Sequence, residues 1–296
     1  MEIPTPHLEK RNVTAGDIDF ALLEAGPDSG PLAICLHGFP DSAWTWRHLL
    51  GPLAEAGYHA VAPFLRGYAP TDLAPDGCYQ TGALATDVCA LEEILHGDSK
   101  SILIGHDWGA FASYGAAGLG PDRFEKVVAM AAGPVPAIAS TFLSYDQIKR
   151  SFYVFAFQSP LAETIVSADD YEFIARLWAD WSPGYDASWD VARVKESIGT
   201  PERLSAAIGY YRAMFDTSTH SKVYESAQQA TSGVPPQPTL YMHGADDGCM
   251  GVESVAGVTD LLAEGSESIV VSGAGHFLHL ERPDEVNANI LRFISG

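Results

Sequence analysis

Residues 101–109 read SILIGHDWG, and this stretch decides the fold. Ser101–His106 is an apolar run of strand length, and a helical pattern begins at Trp108. Between them lies Gly105-His106-Asp107-Trp108-Gly109. Small residues on both sides of a central side chain suit a strand-to-helix turn too sharp for larger ones. Such a turn lifts residue 107 above the C-terminal edge of the strand, where open α/β sheets bind ligands. The helix N-terminus beneath it favours negative charge. The ordinary reading of the same residues is an aspartate N-cap on a plain βα unit.

Working outward, strand and helix patterns alternate on both sides. Residues 18–25 (IDFALLEA), 31–37 (PLAICLH), 58–64 (YHAVAPF) and 127–132 (VVAMAA) read as strands. Residues 44–57 read as one helix ending at Gly57, and a second helix is expected near 80–96. The alternation predicts an α/β fold with a mostly parallel sheet covered on both faces. After Gly133-Pro134 the pattern becomes helical and aromatic, and SGVPPQP (232–238) ends it. Residues 238–244 and 268–273 return to strand, and a final helix closes the chain. The expected organisation is a core of residues 1–134 and 233–296 interrupted by a helical cap, 135–232.

Three further motifs each follow a strand. His37-Gly38-Phe39-Pro40 can aim the Phe39 N–H at the point above residue 107, forming a two-donor oxyanion hole with the N–H of Trp108. Gly244-Ala245-Asp246-Asp247 offers an acid; the fourth position of a G-x-x-D turn favours Asp247, with Asp246 as the alternative. Gly275-His276-Phe277 offers a base. The chain order is nucleophile Asp107, acid Asp247, base His276. His279 is expected to pack or cap, and His37, His106 and His243 to serve as polar supports at strand ends.

The segments HGFPDSAWTWRHLL, APFLRGYAPT, GHDWGA, HGADD and GHFLHLERP resemble the α/β-hydrolase superfamily over essentially the whole chain. The branch they resemble most is that of epoxide hydrolases and haloalkane-type dehalogenases, which also use an aspartate nucleophile. The resemblance implies an α/β-hydrolase fold with an inserted helical cap and a cis peptide before Pro40. SFYVFAFQSPLAE (151–163) is similar to the epoxide hydrolase cap segment that carries one ring-opening tyrosine, which falls on Tyr153. GYYRAMF (209–215) is similar to the segment carrying the second, which falls on Tyr211, with Tyr210 as its neighbour. Two phenols suit an epoxide, whose departing oxygen needs a proton, whereas a halide needs N–H donors and no proton. The expectation is hydrolysis of small apolar epoxides to vicinal diols through an aspartyl ester. The alternatives are a haloalkane or haloacid dehalogenase with the same nucleophile, or a non-catalytic ligand-binding protein on this fold. Phe39, Trp108, Phe152, Phe157 and Trp178 are the expected substrate contacts. Fluoroacetate dehalogenases are less similar, because Ala110-Phe111-Ala112-Ser113 stands where they carry carboxylate-clamping arginines; Arg66, Arg150 and Arg212 have no counterpart there. PFLRGYAPT also departs from the commoner P-D-x-R-G-Y-G-x-S, so the loop after Pro63 is expected to pack differently.

The chain has 296 residues, 47% hydrophobic, with 38 acidic against 17 basic residues and a formal charge of −21. Such a surface repels nucleic acid and anionic lipid. The N-terminal residues lack the apolar core of a signal peptide, and no apolar run reaches the ~18–20 residues that span a bilayer. Cys35, Cys78, Cys89 and Cys249 form no metal-ligand spacing, and Cys35 and Cys89 read as buried thiols of a reduced, cytoplasmic protein. Small apolar substrate and water are the expected partners, with no cofactor or metal; a homodimer is left open.

Overall fold

The computed structural model describes residues 8–296. Residues 1–7, which open the stretch read as lacking a signal peptide, lie outside the described residues. Among the described residues eight strands form one sheet: β1 (Glu9–Ala15), β2 (Ile18–Ala25), β3 (Leu32–Leu36), β4 (His59–Pro63), β5 (Ser101–His106), β6 (Phe124–Met130), β7 (Thr239–Gly244) and β8 (Glu267–Val271). Their order is β1-β2-β4-β3-β5-β6-β7-β8. From β4 to β8 every pairing is parallel, while β1–β2 and β2–β4 are antiparallel. β3, β4, β5 and β7 are buried along their whole length, as strands covered on both faces must be.

Two departures from the sequence reading have local causes. β1 was not expected, because EKRNVTA is an exposed edge strand with a single buried residue and carries no apolar alternation. The expected helix 44–57 is split into a 3₁₀ turn, Ala43–His48, and an α-helix, Leu50–Glu55. Pro52 has no N–H to give the carbonyl of His48, so the helix restarts with Pro52 in its first turn. The Asn287 side-chain amide donates to that carbonyl instead, at 2.6 Å. Cys35 is buried as read, but Cys89 is partly exposed.

The inserted segment is helical. Helices Phe152–Ala156, Ala162–Trp181, Ser188–Ile198 and Pro201–Phe215 form the cap. Helix Glu225–Thr231 packs on helices Thr81–Ile94 and Trp108–Leu119 of the core. The sequence boundary at 232 therefore runs past a helix that lies on the core. Inside Ala162–Trp181, Asp169, Asp170 and Tyr171 hold left-handed φ values of 48, 55 and 62°. Residues with a Cβ occupy that region at a cost of roughly 1–2 kcal/mol each.

Buried contacts fasten cap to core. Arg47, in the 3₁₀ turn Ala43–His48, pairs with Asp190 of the cap at 2.7 Å, both side chains being almost fully buried. The Tyr185 hydroxyl donates to the same carboxylate at 2.9 Å, and the Arg47 guanidinium lies over the Trp189 ring. Trp178 stacks flat on Phe277, with ring centroids 3.4 Å apart, and its indole N–H donates to the Pro40 carbonyl at 2.8 Å. The peptide before Pro40 is cis.

Candidate active site

Asp107 sits between β5 and helix Trp108–Leu119 with φ 53° and ψ −118°. A non-glycine residue at positive φ stores backbone strain of order 1–3 kcal/mol and persists only where its surroundings enforce it. They do so here by close packing: a Cβ on Gly109 would collide with the Leu36 carbonyl, and one on Gly105 with the Gly109 carbonyl. The turn presents the carboxylate at the C-terminal edge of the sheet. Its Oδ1 accepts a hydrogen bond from the Phe39 N–H at 2.8 Å. Oδ2 faces His276 Nε2 at 3.8 Å.

His276 lies in the loop after β8, ahead of the short helix Leu278–Glu281. Its Nδ1 lies 2.9 Å from Asp247 Oδ2. Asp247 Oδ1 accepts from the N–H groups of Cys249 and Met250 at 2.7 and 2.8 Å, so both carboxylate oxygens are committed. With Asp247 taking the proton on Nδ1, Nε2 is the acceptor facing Asp107. Burial pushes Asp247 up, but His276, His243 and the Met250 N–H outweigh it and hold the carboxyl below its usual range. Burial disfavours charge on His276, yet Asp247 and Asp107 together raise its pKa. Asp107 is raised by burial, against the pull of His276 and the N–H groups of Phe39 and Trp108.

The cap brings aromatic side chains over this edge. Tyr211, on helix Pro201–Phe215, packs its ring against Trp108, Phe39 and Phe157 with centroids 5.0, 5.2 and 5.1 Å apart. Tyr153 lies 5.5 Å from Tyr211, ring to ring. Its hydroxyl is 3.4 Å from Cys249 Sγ. The buried Tyr211 hydroxyl, the Trp108 indole N–H and His276 Nε2 have no hydrogen-bond partner among the described residues. An orphaned buried polar atom costs about 1–3 kcal/mol, so three in one cluster mark a place built for a polar guest.

Not every expected contact gathers here. Phe152 is 45% exposed, because its short helix turns Tyr153 and Val154 inward and Phe152 outward. Trp178 is a strut between cap and core. Tyr210 gives its hydroxyl to the Arg66 carbonyl, away from Asp107. Asp246 is exposed, whereas Asp247 makes the bond to His276. The three arginines are spoken for: Arg66 by Asp87, Arg150 by Glu253 and Arg212 by Glu163. The loop after Pro63 is anchored by Arg66 and by the Thr71 hydroxyl, which donates to the Phe64 carbonyl. His37 accepts from the Leu65 N–H, and His243 bonds Tyr241 and Met250. Cys249 carried no signal in the sequence; only the fold brings its thiol to Tyr153.

Among the described residues, two buried trios bring possible metal-ligating atoms within 4.8 Å of one another: Asp247, Cys249 and His276, and Asp41, His106 and His279. The first is already joined by the Asp247–His276 bond. An apolar cleft of about 650 Å³ runs beside the cluster, lined by Trp108, Phe111, Phe142, Tyr210 and Met214. No helix among the described residues is long and apolar enough to cross a membrane.

The family model described as alpha/beta hydrolase fold matches residues 31–283. Epoxide hydrolase A of Mycobacterium tuberculosis is 29% identical, the match covering 97% of this chain and 97% of the relative. AB hydrolase superfamily protein YfhM of Bacillus subtilis is 31% identical over 96% of this chain and 97% of its own length. The solved structure of Epoxide Hydrolase A from Mycobacterium thermoresistibile superposes with a TM-score of 0.76 at 26% identity, covering 98% of each chain.

Proposed function

Since the chain belongs to the α/β hydrolase fold family, we propose that it is an epoxide hydrolase opening small apolar epoxides to vicinal diols through an ester on Asp107. The observation that carries this reading is the pair of cap phenols, Tyr153 and Tyr211, 5.5 Å apart ring to ring over the Asp107 edge, one hydroxyl without a partner among the described residues. The relatives named epoxide hydrolase point the same way.

The epoxide oxygen takes hydrogen bonds from Tyr153 and Tyr211. Asp107 Oδ2 attacks a ring carbon; that carbon–oxygen bond breaks, and the released oxygen takes a phenolic proton. Oδ1 stays under the Phe39 N–H and becomes the carbonyl oxygen of the ester. His276 Nε2 then removes a proton from water, and the hydroxide attacks the ester carbonyl. The N–H groups of Phe39 and Trp108 stabilise the oxyanion. Collapse breaks the acyl–oxygen bond and the departing oxygen takes the proton from His276; the acid proton that the added hydroxide leaves on Asp107 passes to the phenolate, regenerating both the carboxylate and the phenol. Dividing hydrolysis into two displacements is the advantage of a covalent nucleophile.

A second reading has one observation in its favour. The buried Trp108 indole N–H is free to bond a halide, which would make the enzyme a dehalogenase with the same ester. One experiment separates them. A single turnover of styrene oxide in heavy-oxygen water should give a first diol carrying unlabelled oxygen from Asp107, with no bromide released from 1-bromobutane. Heavy oxygen in that first diol would remove Asp107 as nucleophile. Bromide release without diol formation would favour the dehalogenase.

A further inference from the structure

Behind the nucleophile lies a buried polar group that the two-step reaction does not use. His106 ends β5, directly before Asp107, and its ring is fully buried. Its Nε2 is 2.9 Å from the main-chain carbonyl of His276. The carbonyl can only accept, so His106 donates from Nε2 and leaves Nδ1 as an acceptor. Nδ1 has no partner among the described residues, nor have Asp41 Oδ2 and His279 Nδ1. One side-chain atom from each of these three residues lies within 4.8 Å of the other two. His279 is held by a 2.6 Å hydrogen bond between its Nε2 and the Thr45 hydroxyl and by its stack on Trp46. Asp41 Oδ1 is held by the Ser42 N–H at 2.7 Å.

The His276 main chain is thus gripped from two sides. Its N–H donates to the Trp181 carbonyl of the cap at 2.9 Å, and its C=O accepts from His106 of the core. The His106 and His276 rings meet with centroids 4.7 Å apart. A base must sit within hydrogen-bond reach of the proton it removes, and a displacement of about 1 Å can cost 10²-fold in rate.

We infer that His106 is a positioning residue for His276: its Nε2–H, the tautomer that an acceptor-only carbonyl demands, fixes the main chain of the base. His106 with its proton on Nδ1 would turn a lone pair on the His276 carbonyl. The inference rests on the epoxide-opening reading and refines its second step. Asp107 attacks without help from His276, so loosening the base should slow ester hydrolysis and spare ester formation.

The test is rapid-quench single turnover of styrene oxide, following ester on Asp107 as it forms and decays. In His106→Asn the amide ends near the position of Nδ1 and cannot reach the carbonyl; in His106→Gln it reaches the position of Nε2. The Asn variant should hydrolyse the ester on the order of 10-fold more slowly or worse, with ester formation within about twofold of the unaltered enzyme. The Gln variant should recover most of the loss. Equal slowing of both steps in the Asn variant, or no slowing of either, overturns the inference. Absence of any ester on the unaltered enzyme overturns the epoxide reading with it. Nitrogen NMR of histidine-labelled, unaltered protein needs no variant to fold: His106 must carry its proton on Nε2, and a proton on Nδ1 alone overturns the inference.

Discussion

Core and cap hold their functional groups by different means. On the core side, Asp107, Asp247 and His276 are each fixed by backbone N–H groups or by one another, through bonds of 2.7 to 2.9 Å. On the cap side, the phenols of Tyr153 and Tyr211 are placed by aromatic packing, and their hydroxyls meet a soft thiol or no partner among the described residues. Directional bonds of this kind fix an atom to a few tenths of an ångström, while ring edges permit sliding.

Changes to the core should be the most severe. Asp107→Asn keeps a side chain tolerated at positive φ and removes a buried charge, so the thermal midpoint should hold or rise while kcat falls about 10⁵–10⁶-fold. A parallel loss of midpoint and activity would mean that the carboxylate is chiefly structural. Changes to the cap should be graded. Tyr211→Phe, which removes an unpartnered hydroxyl, should cost about 10²-fold in ring opening, and Tyr153→Phe about 10-fold, because its hydroxyl starts from a competing contact with Cys249. The double change should approach 10³-fold. Equal single losses, read by stopped-flow alkylation, would erase the distinction drawn between the two phenols.

The smallest effect tests the strain held in the cap. Asp169 is exposed at φ 48° within the interrupted helix. Asp169→Gly should stabilise by up to about 1 kcal/mol, roughly 2 °C in the thermal midpoint, with kcat/KM unchanged. A lower midpoint would show that the aspartate side chain makes up for its backbone.

The same contrast governs what could be read from the sequence. Gly105–Gly109, His37–Pro40 and Gly275–Phe277 each place a candidate site residue at a turn after a strand, and local rules suffice to locate them. Asp246 and Asp247 could be ranked but not separated, because only the folded loop commits one to His276. The cap resisted for the opposite reason. Phe152 and Tyr153 are neighbours in a short helix, and which of them faces inward depends on distant partners such as Trp181 and Tyr211. The break at Asp169–Tyr171 contains neither glycine nor proline, so nothing local announces it. His106 was recognised as a polar support, but its partner lies 170 residues away.

The Arg47–Asp190 pair carries a consequence for traffic through the molecule. Lifting the cap as a hinged lid would separate two charges sealed from water, and losing such a pair costs on the order of 3–5 kcal/mol, before the Trp178–Phe277 stack is parted. With the roof bolted in this way, access to the site should come from gaps opened by individual rings, so turnover should depend on the viscosity of the solvent far less than it would if a whole domain had to swing.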